Sequence, residues 1–257
     1  MVIRSALKKR LQAGETVFGP FVGMDSVDAV EAMGLGGFDF VILDMEHGPG
    51  TPNSVMGQMR AAELRGMDVL ARLPNVERTT VLRTLDIGVS GILAPQVNDP
   101  ATARSFIEAT LYPPLGCRGF AGTRSSAYGS VPMPEYITEA NSDLLRIIQC
   151  ETEQAVKVID SVASLEHLDM IFIGPNDLSI SLGVPGDKFH PKMVEAVDKV
   201  LASCKKFNKP VGIFVASPEE AKTRIEQGFT FIAYSMDIRI FIAAVKDITA
   251  KLRELTS

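Results

Sequence analysis

Eight short runs of β-branched and aromatic residues recur along the 257-residue chain, each followed by a longer stretch of helical period, and this alternation narrows the possible folds sharply. The strand candidates are Val17–Val22, Phe38–Met45, Asp68–Leu73, Gly91–Gln96, Leu144–Glu151, Met170–Pro175, Val211–Val215 and Phe229–Ser235. Between them the spacing predicts helices at Ser26–Met33, Val55–Arg65, Thr79–Leu85, Thr102–Ala109, Glu153–Val162, Pro191–Phe207 and Pro218–Gln227, with Ile238–Leu255 closing the chain. Parallel strands need a crossover, and strands apolar on both faces need a layer on each side. Eight such units favour a single α/β domain over residues 1–257, a closed (β/α)8 barrel rather than an open doubly wound sheet.

Local chemistry marks several boundaries. Ser217 ahead of Pro218 and Glu219-Glu220 reads as an N-cap followed by proline and acid in the first turn, and Gly66 and Gly228 read as helix stops. One connection breaks the rhythm. From Leu111 to Pro134 the chain is rich in Pro, Gly, Ser and Arg, longer than the roughly 12–15 residues of an ordinary structureless loop. It fits a functional lid, an oligomer contact or a merely mobile excursion.

Composition excludes whole classes. The net charge of −5 gives no basic face for nucleic acid, and no apolar run approaches the ~18 residues of a membrane span. The three cysteines, Cys117, Cys150 and Cys204, are dispersed and odd in number, which reads as reduced thiols in the cytoplasm. Met1–Gly14 is amphipathic and lacks the apolar core of a secretory signal.

In a barrel of this kind the site lies at the C-terminal strand ends, and the polar residues gather there. The second strand runs into Asp44-Met45-Glu46-His47, the third ends at Arg72, the fourth at Gln96, the fifth at Gln149 and Glu151, and the sixth leads through Gly174-Pro175 into Asn176-Asp177. Gln149 and Glu151 are two apart and project to one face, with Cys150 on the other. Glu151 and Asp177 from neighbouring strands suit a hard divalent cation with water in its open positions, whereas three scattered histidines do not make a zinc cage. Asp177 also fits a helix N-cap, and Glu151 before Thr152 also fits a helix start. His167 and His190 read as surface or capping residues. No predicted strand carries a lysine for a Schiff base, and the loops after strands seven and eight, Ala216-Ser217-Pro218 and Ser235-Met236-Asp237, lack the glycines of a phosphate cradle.

The segments FDFVILDMEHGP, LARLP, LDIGVSGILAPQV, YPPLGCRG, IIQCET and IFIGPNDLS, in this order, resemble the HpcH/HpaI aldolases, class II pyruvate aldolases built on barrels of the phosphoenolpyruvate/pyruvate type. The resemblance implies reversible cleavage of a 4-hydroxy-2-oxo acid to pyruvate and an aldehyde through a pyruvate enolate. It implies a divalent metal (Mg²⁺, Mn²⁺ or Co²⁺) on Glu151 and Asp177, His47 as general base, Asp86 raising its basicity, and Arg72 on the enolate. Gln149 and Asn176, with Gly174 and Asp177 of the Gly-Pro-x-Asp motif, are implied contacts of the keto acid. The base role matches the near-neutral titration of histidine. The family also implies a homohexamer, a trimer of dimers, with Ile238–Leu255 as an exchanged helix. An acyl-CoA lyase or an oxaloacetate decarboxylase on the same enolate site is the alternative chemistry, and a non-catalytic binding barrel is a further one. Met45, Asn176, Tyr234-Ser235 and Phe21 depart from the family pattern and are expected to alter pocket shape. Arg118 and Arg124 in the long loop are candidates for an acidic aldehyde or for a subunit contact.

Overall fold

The structure, a computed structural model, describes residues 6–256, so residues 1–5 of the amphipathic N-terminal stretch lie outside the described residues. Eight parallel strands pair in chain order and close into a barrel: β1 Val17–Val22, β2 Phe40–Asp44, β3 Asp68–Arg72, β4 Gly91–Ala94, β5 Leu145–Cys150, β6 Met170–Ile173, β7 Val211–Val215 and β8 Phe231–Met236. The helices are α1 Ala6–Gln12, α2 Val27–Leu35, α3 Val55–Leu64, α4 Arg78–Asp86, α5 Pro100–Thr110, α6 Met133–Asp143, α7 Glu153–Lys157, α8 Ile159–Ala163, α9 Pro175–Ser181, α10 Pro191–Lys206, α11 Pro218–Glu226 and α12 Asp237–Glu254. No helix among the described residues is long and apolar enough to cross a membrane.

The period-2 alternation of each strand splits the apolar residues into two cores. Phe40, Ile42, Leu70, Ile147, Phe172 and Phe231 point inward and fill the barrel, while Val41, Leu43, Val69, Ala71, Ile148 and Ile171 face the helices. Each fully buried side chain of this size contributes roughly 1.5–3 kcal/mol. Glycine on the inner face makes room for the aromatic rings: a Cβ at Gly212 would lie 2.9 Å from ring atoms of Phe172 and Phe231. At the N-terminal strand ends, Leu7 and Leu11 of α1 join the inner core, and the Leu7 N–H donates to Asp68 Oδ2 at 2.9 Å, plugging the barrel.

Helices α1, α6 and α9 lie outside the predicted helices. Proline hides two of them. Pro134 ends the irregular stretch and Pro175 the sixth predicted strand, yet each falls in the first turn of a helix, where a missing N–H removes only a donor that has no intrahelical partner. The predicted helix Glu153–Val162 divides at Val158, whose ψ of 9° leaves helical geometry. Ser217 does cap α11, accepting from Glu220 N–H, and Gly66 and Gly228 take φ of 74° and 101°, the left-handed conformation that ends a helix.

The stretch 111–134 does not cover the mouth of its own barrel. Helices run antiparallel to the strands, so the chain leaves α5 at the N-terminal strand ends and stays there. Its short 3-10 turn, Arg124–Gly129, packs on α4 and α6. Arg124 bonds Glu63 at the end of α3 and the Ile87 carbonyl at 3.0 Å, both at that end.

Candidate active site

Asp44 and Arg72 are the last residues of β2 and β3, they follow Ile42 and Leu70 on the inward face, and the strand register sets them side by side. Arg72 donates through Nε at 3.0 Å and Nη2 at 2.5 Å to the two oxygens of Asp44, and its Nη1 lies 3.3 Å from Glu46 Oε2. Asp44 Oδ1 also accepts the N–H groups of Glu46 and His47, at 3.1 and 3.2 Å. One buried carboxylate thus orients the guanidinium and folds the turn that presents His47. The His47 ring stands 63% exposed at the rim, with Nε2 3.9 Å from Glu46.

Burial works to raise the Asp44 carboxyl, but the hydrogen bonds and charge of Arg72, aided by the His47 and Glu46 N–H groups, outweigh it and hold the carboxyl below its ordinary value. Glu46 goes the other way. Burial raises it despite Arg72 and His47, and the charges of Asp44 and Asp177 add to the rise.

Across the mouth, Gln149 Nε2 donates to Glu151 Oε2, so the two side chains share the inward face as predicted, while Cys150 packs in the outer core. The second Glu151 oxygen accepts the Gln96 N–H at 2.7 Å, delivered by a residue held at φ 52°. Gln149 Oε1 is buried without a partner among the described residues. Gly174 permits this packing, since a Cβ there would lie 2.7 Å from Gln149 Nε2 and 3.0 Å from Glu151 Oε2. Neither carboxylate is a helix cap. Thr152 caps α7 by accepting from Ala155 N–H, and α9 starts after Gly174, placing Asn176 and Asp177 in its first turn.

Burial pushes Glu151 up to about 7 against the help of the Gln96 N–H, and the neighbouring charges of Glu46 and Asp177 push the same way. A buried carboxylate facing two others is poorly compensated, and a cation would supply the missing charge. Oxygen donors from Glu151 and Asp177, with the vacant Gln149 Oε1 nearby, fit a hard divalent ion. Among the described residues no cluster of three His, Cys, Asp or Glu groups forms a closed cage, so a fitting ion would complete its shell with water or substrate.

A cavity of about 270 Å³ opens here, lined by His47, Arg72, Gln149, Gly174, Asn176 and Asp177 together with Phe21, Phe172, Phe214, Met236 and Arg239. Asp86 is not among them. It ends α4 at the opposite end of the barrel, where its carboxylate lies 3.4 Å from Arg118 and burial raises it. Within the chain the acid beside His47 is Glu46. Of the departures from the family pattern, Phe21 and Asn176 shape the mouth, with the Arg72 guanidinium 4.8 Å from the Phe21 ring centroid. Met45 faces the outer core and Tyr234 the outer barrel surface, so neither lines the mouth. Lys188 comes close from the α9–α10 connection, over the Phe214 ring at 5.6 Å, but both oxygens of Glu220 hold it at 3.1 Å. Asp44, Glu46 and Arg239 were not assigned from sequence. The same alternation that placed Gln149 and Glu151 puts Asp44 inward two positions after Ile42, so that signal was present. Arg239 belongs to a helix, and only the packing of α12 brings it to the rim.

The family profile described as HpcH/HpaI aldolase/citrate lyase matches residues 18–244. The chain belongs to that family. It is 31% identical over 246 residues to the 5-keto-4-deoxy-D-glucarate aldolase of Klebsiella pneumoniae, covering 95% of each chain. It is 29% identical over 249 residues to the 4-hydroxy-2-oxo-heptane-1,7-dioate aldolase of Escherichia coli, covering 97% of this chain and 95% of the other. The crystal structure of a family protein from Burkholderia cenocepacia superposes with a TM-score of 0.92 at 32% identity, covering 96% and 99% of the two chains. As a member of the HpcH/HpaI family, the protein is a carbon–carbon lyase of the metal-dependent aldolase class.

Proposed function

We propose that the protein cleaves a 4-hydroxy-2-oxo acid to pyruvate and an aldehyde, and runs the addition in reverse. The observation that carries this reading is the meeting of Arg72, His47, Gln149 and Asp177 around one small mouth, with the buried Glu151 in the field of Asp177 and Arg72 beside it. The volume of about 270 Å³ is near the lower end of the roughly 300–1,000 Å³ typical of ligand pockets and suits a small keto acid. Glu151 and Asp177 would hold Mg²⁺, Mn²⁺ or Co²⁺, which when bound supplies Lewis-acid polarisation of the keto group.

The side chains supply the rest. Gln149, Asn176 and the close backbone at Gly174 orient the keto acid. His47 takes the proton of the 4-hydroxyl as the C3–C4 bond breaks, the aldehyde leaves, and the electron pair moves from C3 toward the keto oxygen. Arg72, fixed by Asp44, donates to that oxygen as its charge grows and needs no reorganisation to do so. Protonation at C3 then gives pyruvate.

The assembly proposed is a homo-oligomer in which α12 is exchanged. Only Asp237 of α12 is buried, and Phe241, Ile242, Val245, Ile248 and Leu252 are all exposed on it. The outer face of β1 and β8, where a helix following β8 would lie, is instead an apolar groove of about 510 Å³ lined by Phe18, Ala221, Ile225, Ile232 and Tyr234. The α12 of a second copy fits that groove in chemistry and position. The long segment at 111–134 is a further candidate contact. A cytoplasmic location is the corresponding expectation, with all three cysteines free and Cys150 and Cys204 buried.

Hydrogen–deuterium exchange at the methyl group of pyruvate in D₂O, followed by NMR, tests the enolate without knowledge of the aldehyde. Exchange is expected with Mg²⁺ or Mn²⁺ and is expected to stop in excess chelator. Exchange that survives the chelator, or borohydride trapping of pyruvate on a lysine such as Lys188, would overturn the mechanism. Turnover confined to oxaloacetate decarboxylation or thioester cleavage would assign the alternative chemistry.

A further inference from the structure

The mouth divides into two halves by strand. From β2 round to the start of α9 its polar lining is Asp44, Arg72, Gln149, Asn176 and Asp177, with Phe172 beneath them, whereas β7, β8 and β1 contribute Phe214, Met236 and Phe21. Phe21 packs against Phe172 and Phe214, each at 6.0 Å between ring centroids. Arg239 lines the cavity from the first turn of α12, on the apolar side.

The cations around the mouth are not equivalent. Arg72 is engaged by Asp44 and Glu46, and Lys188 by Glu220. Arg239 has neither an ion pair nor a side-chain hydrogen bond among the described residues. Helix stability does not account for it, because a cation in a first turn opposes the positive end of the helix dipole. Its backbone is nevertheless firmly placed. The buried carboxylate of Asp237 accepts the N–H groups of Gly23 at 3.1 Å, Met24 at 2.8 Å and Ile238 at 2.7 Å, which pins the start of α12 to the loop after β1. Ser235, at φ 56°, turns the chain sharply just before it. The loop arginines cannot serve the mouth of their own chain, since Arg118 and Arg124 lie at the other end of the barrel with Asp86 and Glu63.

We propose that Arg239 is a specificity-determining residue that receives a carboxylate carried by the aldehyde half of the substrate. The apolar wall of Phe21, Phe214 and Met236 then faces the carbon chain between that carboxylate and the reacting carbonyl. The favoured partner of pyruvate is an aldehyde with a terminal carboxylate on a short, mainly apolar stem, and the cleavage substrate is the corresponding hydroxy-oxo diacid. This assignment rests on the pyruvate-aldolase reading above.

The test compares kcat/KM for pyruvate addition to an ω-carboxyaldehyde and to an uncharged aldehyde of the same length, in the wild type, Arg239→Met and Arg239→Lys. The wild type is expected to favour the carboxyaldehyde. In Arg239→Met the ratio of the two should fall about tenfold, the scale of one charge-assisted contact at a partly exposed site, mainly through KM. Arg239→Lys should recover part of it. Because each ratio is taken within one protein, a loss of folded enzyme cancels. A wild type without preference, or a ratio unchanged in Arg239→Met, would overturn the assignment. Pyruvate methyl exchange in the same wild-type preparation separates the two failures: exchange with an unchanged ratio removes Arg239 alone, and no exchange removes the aldolase reading and this assignment with it.

Discussion

Replacing Asp44 by alanine removes the carboxylate that joins the second and third strands at the rim. The Asp44 side chain is fully buried and that of Arg72 is 10% exposed, so the substitution leaves a guanidinium with little water to replace its partner. Breaking a buried pair on one side costs about 3–5 kcal/mol. Arg72 keeps Glu46 at 3.3 Å, which favours the lower end, about 3 kcal/mol. At roughly 2–4 °C per kcal/mol for a chain of this size, the unfolding midpoint should fall by about 6–12 °C. The assay is a thermal scan of both proteins at equal concentration in chelator, so that no bound cation contributes. The pH dependence has a definite sign. The folded Asp44 carboxyl lies below its ordinary value of 3.8, so its stabilisation is complete above that value and disappears as the pH falls through the lower, folded one. The gap between wild type and variant should therefore be constant at neutral pH and shrink only in acid below about 4. Catalysis should fall as well, by up to about 10²–10³-fold, because Arg72 and the His47 turn lose a shared anchor. A midpoint shift under about 2 °C, or a gap that widens in acid, would refute the reasoning.

Gly174→Ala should place a methyl group 2.7 Å from Gln149 Nε2 and 3.0 Å from Glu151 Oε2, displacing both, with a loss of at least about tenfold in kcat/KM and weaker Mn²⁺ binding. Wild-type values would show that the two side chains can move without consequence. Glu151→Ala and Asp177→Ala should each abolish Mn²⁺ binding followed by electron paramagnetic resonance, and unchanged affinity in either would remove it from the ligand set. Phe241→Glu combined with Val245→Glu should lower the solution mass measured by light scattering, because both residues lie on the exposed apolar face of α12. An unchanged mass, or a wild type that is already monomeric, would overturn helix exchange.

Much of the barrel was legible because its signals are local. Short β-branched and aromatic runs marked all eight strands within a few residues of their ends, and Ser217, Gly66 and Gly228 marked helix boundaries through their own side-chain or backbone chemistry. The motif segments similarly led to His47, Arg72, Gln149, Asn176 and Asp177, which meet in one cavity. Asp86 stands apart from them within the chain, for an equally physical reason. A motif gives a position along the chain, but α4 carries its last residue to the far end of the barrel, and there Arg118 holds it. The same reversal of direction through α5 took the 111–134 stretch away from the mouth.

The succession of short apolar runs and helical stretches was thus enough to indicate a parallel barrel, and the two-residue period of a strand was enough to turn Gln149 and Glu151 to one face. Strand register and helix docking decided the rest. They set Asp44 against Arg72, brought Glu46 and Asp177 into the field of Glu151, and carried Arg239 to an apolar wall built from three other strands. Hydrogen-bonding and hydrophobic preferences act within a few residues and leave a trace in the sequence. The charge felt by a carboxylate depends on groups far away along the chain, and those distances exist only once the barrel has closed.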